Sequence, residues 1–194
     1  MERKEHKLSL GIVIPTINEA SRLPLLLADL NLCTLGKEIC IVDGGSSDNT
    51  LIIGTLYGAK ILNAGERNRG LQLHKGACHI SSDWIMFLHA DCRLPKNWWR
   101  ILHEKLNACS DLDVAYFFEF KLNNSRLDFL LMESLVALRC KFLKKPYGDQ
   151  GLLISREVYE SVGGYKPYSL MEDLDLIKRL SSYVEVKSLG VDIY

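Results

Sequence analysis

The stretch Glu38–Gly58, EICIVDGGSSDNTLIIGTLYG, decides the fold class. Its opening, EICIVDGG, is apolar without alternation up to Asp43, the pattern of a strand buried on both faces. The closing part, SDNTLIIGTLYG, predicts a helix that Gly58 ends. Between them the glycines permit a tight turn, and Ser46, Ser47 and Asp48 carry oxygens suited to capping the helix.

Working outward, the same alternation recurs. LSLGIVIP predicts a buried strand, and SRLPLLLADLNLC a helix with Ser21 as N-cap and Pro24 in its first turn. KILNA is a short strand, RGLQLHKGACHI a helix and DWIMFLHA a strand. Apolar strands separated by helices predict a parallel sheet covered on both faces, the α/β doubly wound class. In such sheets ligands bind beyond the carboxyl ends of the strands. The segments Pro15–Glu19, Asp43–Asp48, Gly65–Arg69 and His89–Arg93 are therefore the places for chemistry.

The second half differs. NWWRILHEKL is a helix, VAYFFEFKL a strand, and RLDFLLMESLVALRCKFLKK a long apolar helix with a basic end. PYGDQG is a loop, LLIS a short strand, and REVYESVGGY and SLMEDLDLIKRLSSY are helices.

The 194 residues fit one domain. Lys+Arg and Asp+Glu both number 24, which gives no electrostatic footprint for nucleic acid. Six scattered cysteines without a C-x-x-C pair predict reduced thiols and a cytoplasmic setting. No apolar run reaches the roughly 20 residues of a spanning helix. A peripheral membrane contact through the basic-ended helix is the alternative to plain core packing.

Each candidate residue has a structural and a functional reading. Asp43 is a turn residue or an acceptor for a base or ribose. Arg67 and Arg69 are a solvated basic turn or, at a helix start, a phosphate site. Asp91 is a cap or a carboxylate for a hard divalent cation, which needs only one or two with phosphate oxygens. Ser169 three residues before Glu172 makes a capping-box pattern, and Asp173 suits a helix start. The functional reading gives Asp173 to proton abstraction. Asp149 and Gln150 lie in a tight polar loop of the kind that approaches ligands.

In this order, VIPTINEASRLPLLL, VDGGSSDNT, FLHADCRLP, PYGDQG and LMEDLDLIKRL resemble the family 2 glycosyltransferases of the GT-A fold, from about Leu8 to Leu180. More narrowly they resemble the bacterial arsenosugar-biosynthesis-type subgroup. The resemblance implies a nucleotide-binding half over about 8–95 and an acceptor and catalytic half over about 96–194. It implies that Pro15, Thr16, Asn18 and Glu19 line the nucleotide pocket, with Asp43 at the base or ribose and Arg67 and Arg69 near the diphosphate. Asp91 would meet a divalent metal, Mn²⁺ or Mg²⁺. Asp173 would be the catalytic base, with Glu172, Asp149 and Gln150 on the donor sugar or acceptor.

Three positions depart from the family pattern. His89 stands where a first acid is common, Gly44 where a second aspartate is common, and Ile17 where a tyrosine is common. The chain also ends soon after the last expected helix, so part of the acceptor side is expected to come from elsewhere. The expected activity is metal-dependent, inverting transfer from a nucleotide-diphosphate sugar to an acceptor hydroxyl, on a small molecule, a glycan or a lipid-linked compound. The rivals are a nucleotide-sugar-binding module without turnover and a nucleotidyltransferase. The latter would want a glycine-rich basic loop after the first strand, where PTINEASR has no glycine. The oligomeric state is not legible.

Overall fold

Glu38–Gly58 forms β2 (Lys37–Asp43) and α2 (Thr50–Leu56), the strand and helix its pattern predicts. In the computed structural model, which describes residues 9–108, 113–121 and 150–194, β2 lies in a seven-stranded sheet. The other strands are β1 (Leu10–Thr16), β3 (Lys60–Asn63), β4 (Trp84–Phe87), β5 (Val114–Phe120), β6 (Leu152–Ser155) and β7 (Glu185–Ile193). Their order is β3-β2-β1-β4-β6-β5-β7.

β1 pairs in parallel with β2, from Leu10 opposite Lys37 to Thr16 opposite Asp43. It also pairs in parallel with β4, and β2 with β3. β6 runs antiparallel to both β4 and β5, and β7 is parallel to β5. The sheet is thus mostly parallel but mixed. The apolar run LLIS shows burial, and burial carries no information about strand direction. β7 is a strand that the sequence pattern conceals. Its ladder with β5 shifts register between Phe117 and Glu119, which breaks the two-residue alternation.

The helices are α1 (Leu23–Asn31), α3 (Arg69–His79), α4 (Trp98–Ala108), α5 (Arg156–Ser161) and α6 (Glu172–Ser181). They cover both faces of the sheet. On one face Leu23, Leu26 and Leu30 of α1 and Trp98 and Leu102 of α4 pack with Ile12 and Ile14 of β1. On the other, Leu73 and Ala77 of α3, Val158 of α5 and Leu176 and Leu180 of α6 pack with Val13 and Val42. The alternation of Ile12, Val13 and Ile14 between the two cores follows from the strand pleat.

Two capping expectations fail. Ser21 does not cap α1: Arg22 holds the N-cap position without a side-chain bond. Pro near the start has no N–H, so fewer donors there need a partner. The Ser169–Glu172 capping box does not form either. Met171 occupies the N-cap of α6 in a left-handed conformation, φ 62°, with no side-chain cap. The chain swings into α6 from that turn and leaves Ser169 outside it. The expected long helix over 126–145 lies outside the described residues. Among the described residues no helix is long and apolar enough to cross a membrane.

Candidate active site

The connection after β1 leads through α1 to β2, while α3 crosses back to β4 on the other side of β1. The reversal opens a crevice beyond the carboxyl ends of β1 and β4. A cavity of about 310 Å³ sits there. Pro15, Thr16, Ile17 and Glu19 form the wall after β1. His89, Ala90 and Asp91 form the wall after β4. Arg67, Arg69 and Gln72 come from the start of α3, and Ser169 from the loop before α6.

The β2 turn supports this cleft rather than lining it. Asp43 is buried, and its carboxylate accepts four hydrogen bonds: from the Thr16 and Ser46 hydroxyls and from the backbone N–H groups of Gly45 and Ser46. Burial alone would raise its pKa, but these donors outweigh it and hold the acid below its ordinary value. Asn18, at φ 54°, accepts from Ser47 N–H at 2.8 Å, and its own N–H donates to Ser46 Oγ at 2.8 Å. Asp48 accepts from the N–H groups of Ala20 and Thr50. Asp43, Asn18 and Asp48 thus fasten the loop after β1 to the loop after β2.

Gln72 completes the floor. Its buried amide donates to the carbonyls of Thr16, at 3.0 Å, and Val42, at 2.8 Å, tying together the ends of β1 and β2. A Cβ at Gly44 would sit 3.2 Å from that amide nitrogen. This accounts for the glycine where an aspartate is common, because Gln72 takes the space.

Asp91 is exposed on the cleft wall. Glu19 lies in the same cleft and is pushed above its ordinary pKa by burial and by the charge of Asp91, among other causes. No cluster of three His, Cys, Asp or Glu side chains suited to a metal occurs among the described residues. A donor set of one exposed carboxylate, with a second in electrostatic reach, still fits a hard divalent cation that draws its other ligands from phosphate and water.

The acid pair stands at the head of α6. Glu172 is completely buried and Asp173 is 8% exposed. Arg69 donates from Nε to Glu172 Oε1 and from Nη2 to Asp173 Oδ2, the latter at 3.3 Å. The Tyr165 hydroxyl donates to Asp173 Oδ1 at 3.2 Å. Burial and the neighbouring Glu172 charge push Asp173 up to about 7, against the opposing pull of Arg69. A carboxyl poised there suits a base working near neutral pH.

Pro15, Thr16, Glu19, Arg67, Arg69 and Asp91 therefore share one cleft, and Arg69 joins it to Glu172 and Asp173. Gln150 is buried and does not line that cavity; its Nε2 donates to the Phe118 carbonyl at 3.3 Å. Asp149 lies outside the described residues. Sequence reasoning missed Gln72 and Tyr165. Gln72 follows Arg69 by three positions on one helix face, a usable signal. Tyr165 meets Asp173 only because Gly163 and Gly164, both at positive φ, turn the chain between α5 and α6.

The family model of glycosyl transferase family 2 matches residues 11–163. The chain is 33% identical over 93 residues to a 4,4'-diaponeurosporenoate glycosyltransferase of Staphylococcus haemolyticus, covering 44% of this chain and 25% of that protein. It is 33% identical over 88 residues to a PGL/p-HBAD biosynthesis glycosyltransferase of Mycobacterium bovis, covering 42% of this chain and 34% of that protein. These matches span about a quarter to a third of the relatives' length. Among solved structures, glucosyl-3-phosphoglycerate synthase of Mycobacterium tuberculosis, in complex with Mn²⁺, UDP and glucosyl-3-phosphoglycerate, superposes with TM-score 0.68 at 19% identity. That match covers 95% of this chain and 71% of the other. TarS of S. aureus superposes with TM-score 0.75 at 14% identity, covering 95% and 59%. With this architecture and the match over residues 11–163, the chain belongs to glycosyl transferase family 2 and has the GT-A fold.

Proposed function

We propose that the protein transfers a sugar from a nucleotide-diphosphate sugar to an acceptor hydroxyl with inversion, and that Asp173 is the base. The observation that carries this reading is the buried acid pair at the head of α6, joined through Arg69 to the crevice beyond β1 and β4. The acceptor oxygen gives its proton to Asp173 and attacks the anomeric carbon. The bond from that carbon to the diphosphate breaks on the opposite face, and its electron pair leaves with the diphosphate. Arg67, exposed in the cleft, offsets the charge that grows there. Asp91 would hold Mn²⁺ or Mg²⁺, and the ion would supply further positive charge at the same place.

Residues 8–95 then serve the nucleotide and 96–194 the acceptor. Uridine diphosphate is the first nucleotide to try, because a structural neighbour is crystallised with it and Mn²⁺. Within the family, the resemblance of the motif set supports assigning the chain to the arsenosugar-biosynthesis-type subgroup. The setting we assign is cytoplasmic, with peripheral membrane contact where the acceptor is lipid-linked.

The test is nucleoside diphosphate release from a panel of nucleotide sugars, with and without Mn²⁺, by wild type and Asp173→Asn. Loss of general-base help typically costs ~10²–10⁴-fold in turnover. UDP binding, read by calorimetry, should stay unchanged. Equal loss of binding and turnover would make Asp173 structural. Unchanged turnover would leave the protein without this base.

A further inference from the structure

Among the described residues, the acid pair has one cation for two carboxylates. Arg69 is the first residue of α3, and the Asn68 side chain caps that helix by accepting from Leu71 N–H at 3.0 Å. From this first position its guanidinium forks onto Glu172 and Asp173. Glu172 is completely buried, and its second oxygen, Oε2, has no hydrogen-bond partner among the described residues. Arg67, two positions earlier, is exposed in the cleft, and among the described residues it makes no ion pair.

The two arginines of GERNRG thus have different surroundings. A phosphate ligand should be open to the cleft with its donors uncommitted, as Arg67 is among the described residues. Arg69 also lines the cleft, but its Nε and one Nη are spent on two buried acids, so it has fewer donors to offer a diphosphate, and withdrawing them would leave those acids uncompensated.

We propose that Arg69 is a positioning residue for the base: its fork fixes Glu172 and Asp173 as a pair, and the donor's diphosphate falls to Arg67. This rests on the reading of Asp173 given above. The groups facing Asp173 are Arg69 from α3, Glu172 from its own helix and the Tyr165 hydroxyl from the loop before it. Among the described residues Arg69 is the cation that faces it, and it keeps Asp173 from binding its proton more tightly still.

The experiment needs no substrate. Carboxyl ¹³C NMR follows the titration of Asp173 in wild type, Arg69→Gln and Arg69→Lys, and calorimetry measures UDP binding with Mn²⁺ in the same proteins and in Arg67→Gln. Arg69→Gln should move the Asp173 titration upward from about 7 by at least one pH unit. UDP affinity should change less than threefold, against a loss of tenfold or more in Arg67→Gln. Arg69→Lys keeps a charge but cannot fork, so a smaller upward shift is expected, and this variant decides the matter if Arg69→Gln does not fold. An unmoved titration with tenfold weaker UDP binding would overturn the proposal and make Arg69 a donor ligand. A shifted titration in a protein whose Asp173→Asn form remains active would instead sink the function assigned to Asp173 and leave the role of Arg69 standing.

Discussion

Replacing Asp173 by asparagine should make the protein more stable at neutral pH while removing its turnover. Asp173 has an ordinary pKa of 3.8, raised to about 7 in the fold. Between those values the folded chain binds more protons than the unfolded chain, so stability falls as the pH rises through this window and levels off above 7. The gap is about 3 units, and at 1.36 kcal/mol per unit it amounts to about 4 kcal/mol of strain at pH 8. Asparagine removes the extra charge and leaves Arg69 matched to Glu172 alone. It bonds less strongly than a carboxylate to Arg69 and Tyr165, which offsets part of the gain at roughly 1–2 kcal/mol. A net stabilisation of about 2 kcal/mol follows, or about 4–8 °C in Tm for a chain of this size. Thermal unfolding of both proteins at pH 4, 6 and 8 measures it. The gap should be largest at pH 8, smaller at pH 6 and absent or reversed near pH 4. An Asp173→Asn protein less stable than wild type at pH 8 would refute the argument, because the acid would then be a net structural contributor.

Three other perturbations follow from the support of the cleft. Gly44→Asp places a side chain against the Gln72 amide and should cost about 1–3 kcal/mol in urea unfolding. Asp43→Asn turns an amide toward donors that need an acceptor and should cost about 2–3 kcal/mol at pH 7. Because the native acid is held below 3.8, that difference is present above pH 3.8 and fades as the pH drops below it. Gly70→Ala brings a Cβ to 2.1 Å from the backbone carbonyl of Lys166 and must displace the loop that leads from Tyr165 to α6. We expect kcat to fall at least tenfold with UDP affinity held within threefold; equal losses in both would place this loop on the donor.

The fold of the first half was legible because burial repeats there in long, unbroken runs. LSLGIVIP, EICIVDGG and DWIMFLHA each became a parallel strand, and the crevice formed where the switch-point rule puts it. Direction and register were less legible. LLIS is buried like its neighbours yet runs antiparallel, and β7 was missed because its alternation breaks across a register shift.

The acid pair shows why sequence leaves some sites undecided. Ser169, Glu172 and Asp173 have the spacing of a capping box, and helix-start acids are favoured by the dipole whatever their role. What separates the readings is the backbone at Met171. Its left-handed turn withdraws the cap, so Glu172 and Asp173 are not needed by the helix end and are free to face Arg69. A non-glycine residue in that conformation costs of order 1 kcal/mol, and two adjacent buried acids cost more. Local rules would select against both. Their joint presence beside the cleft supports the base role proposed for Asp173, since a helix start alone would be better served by the cap that Met171 prevents.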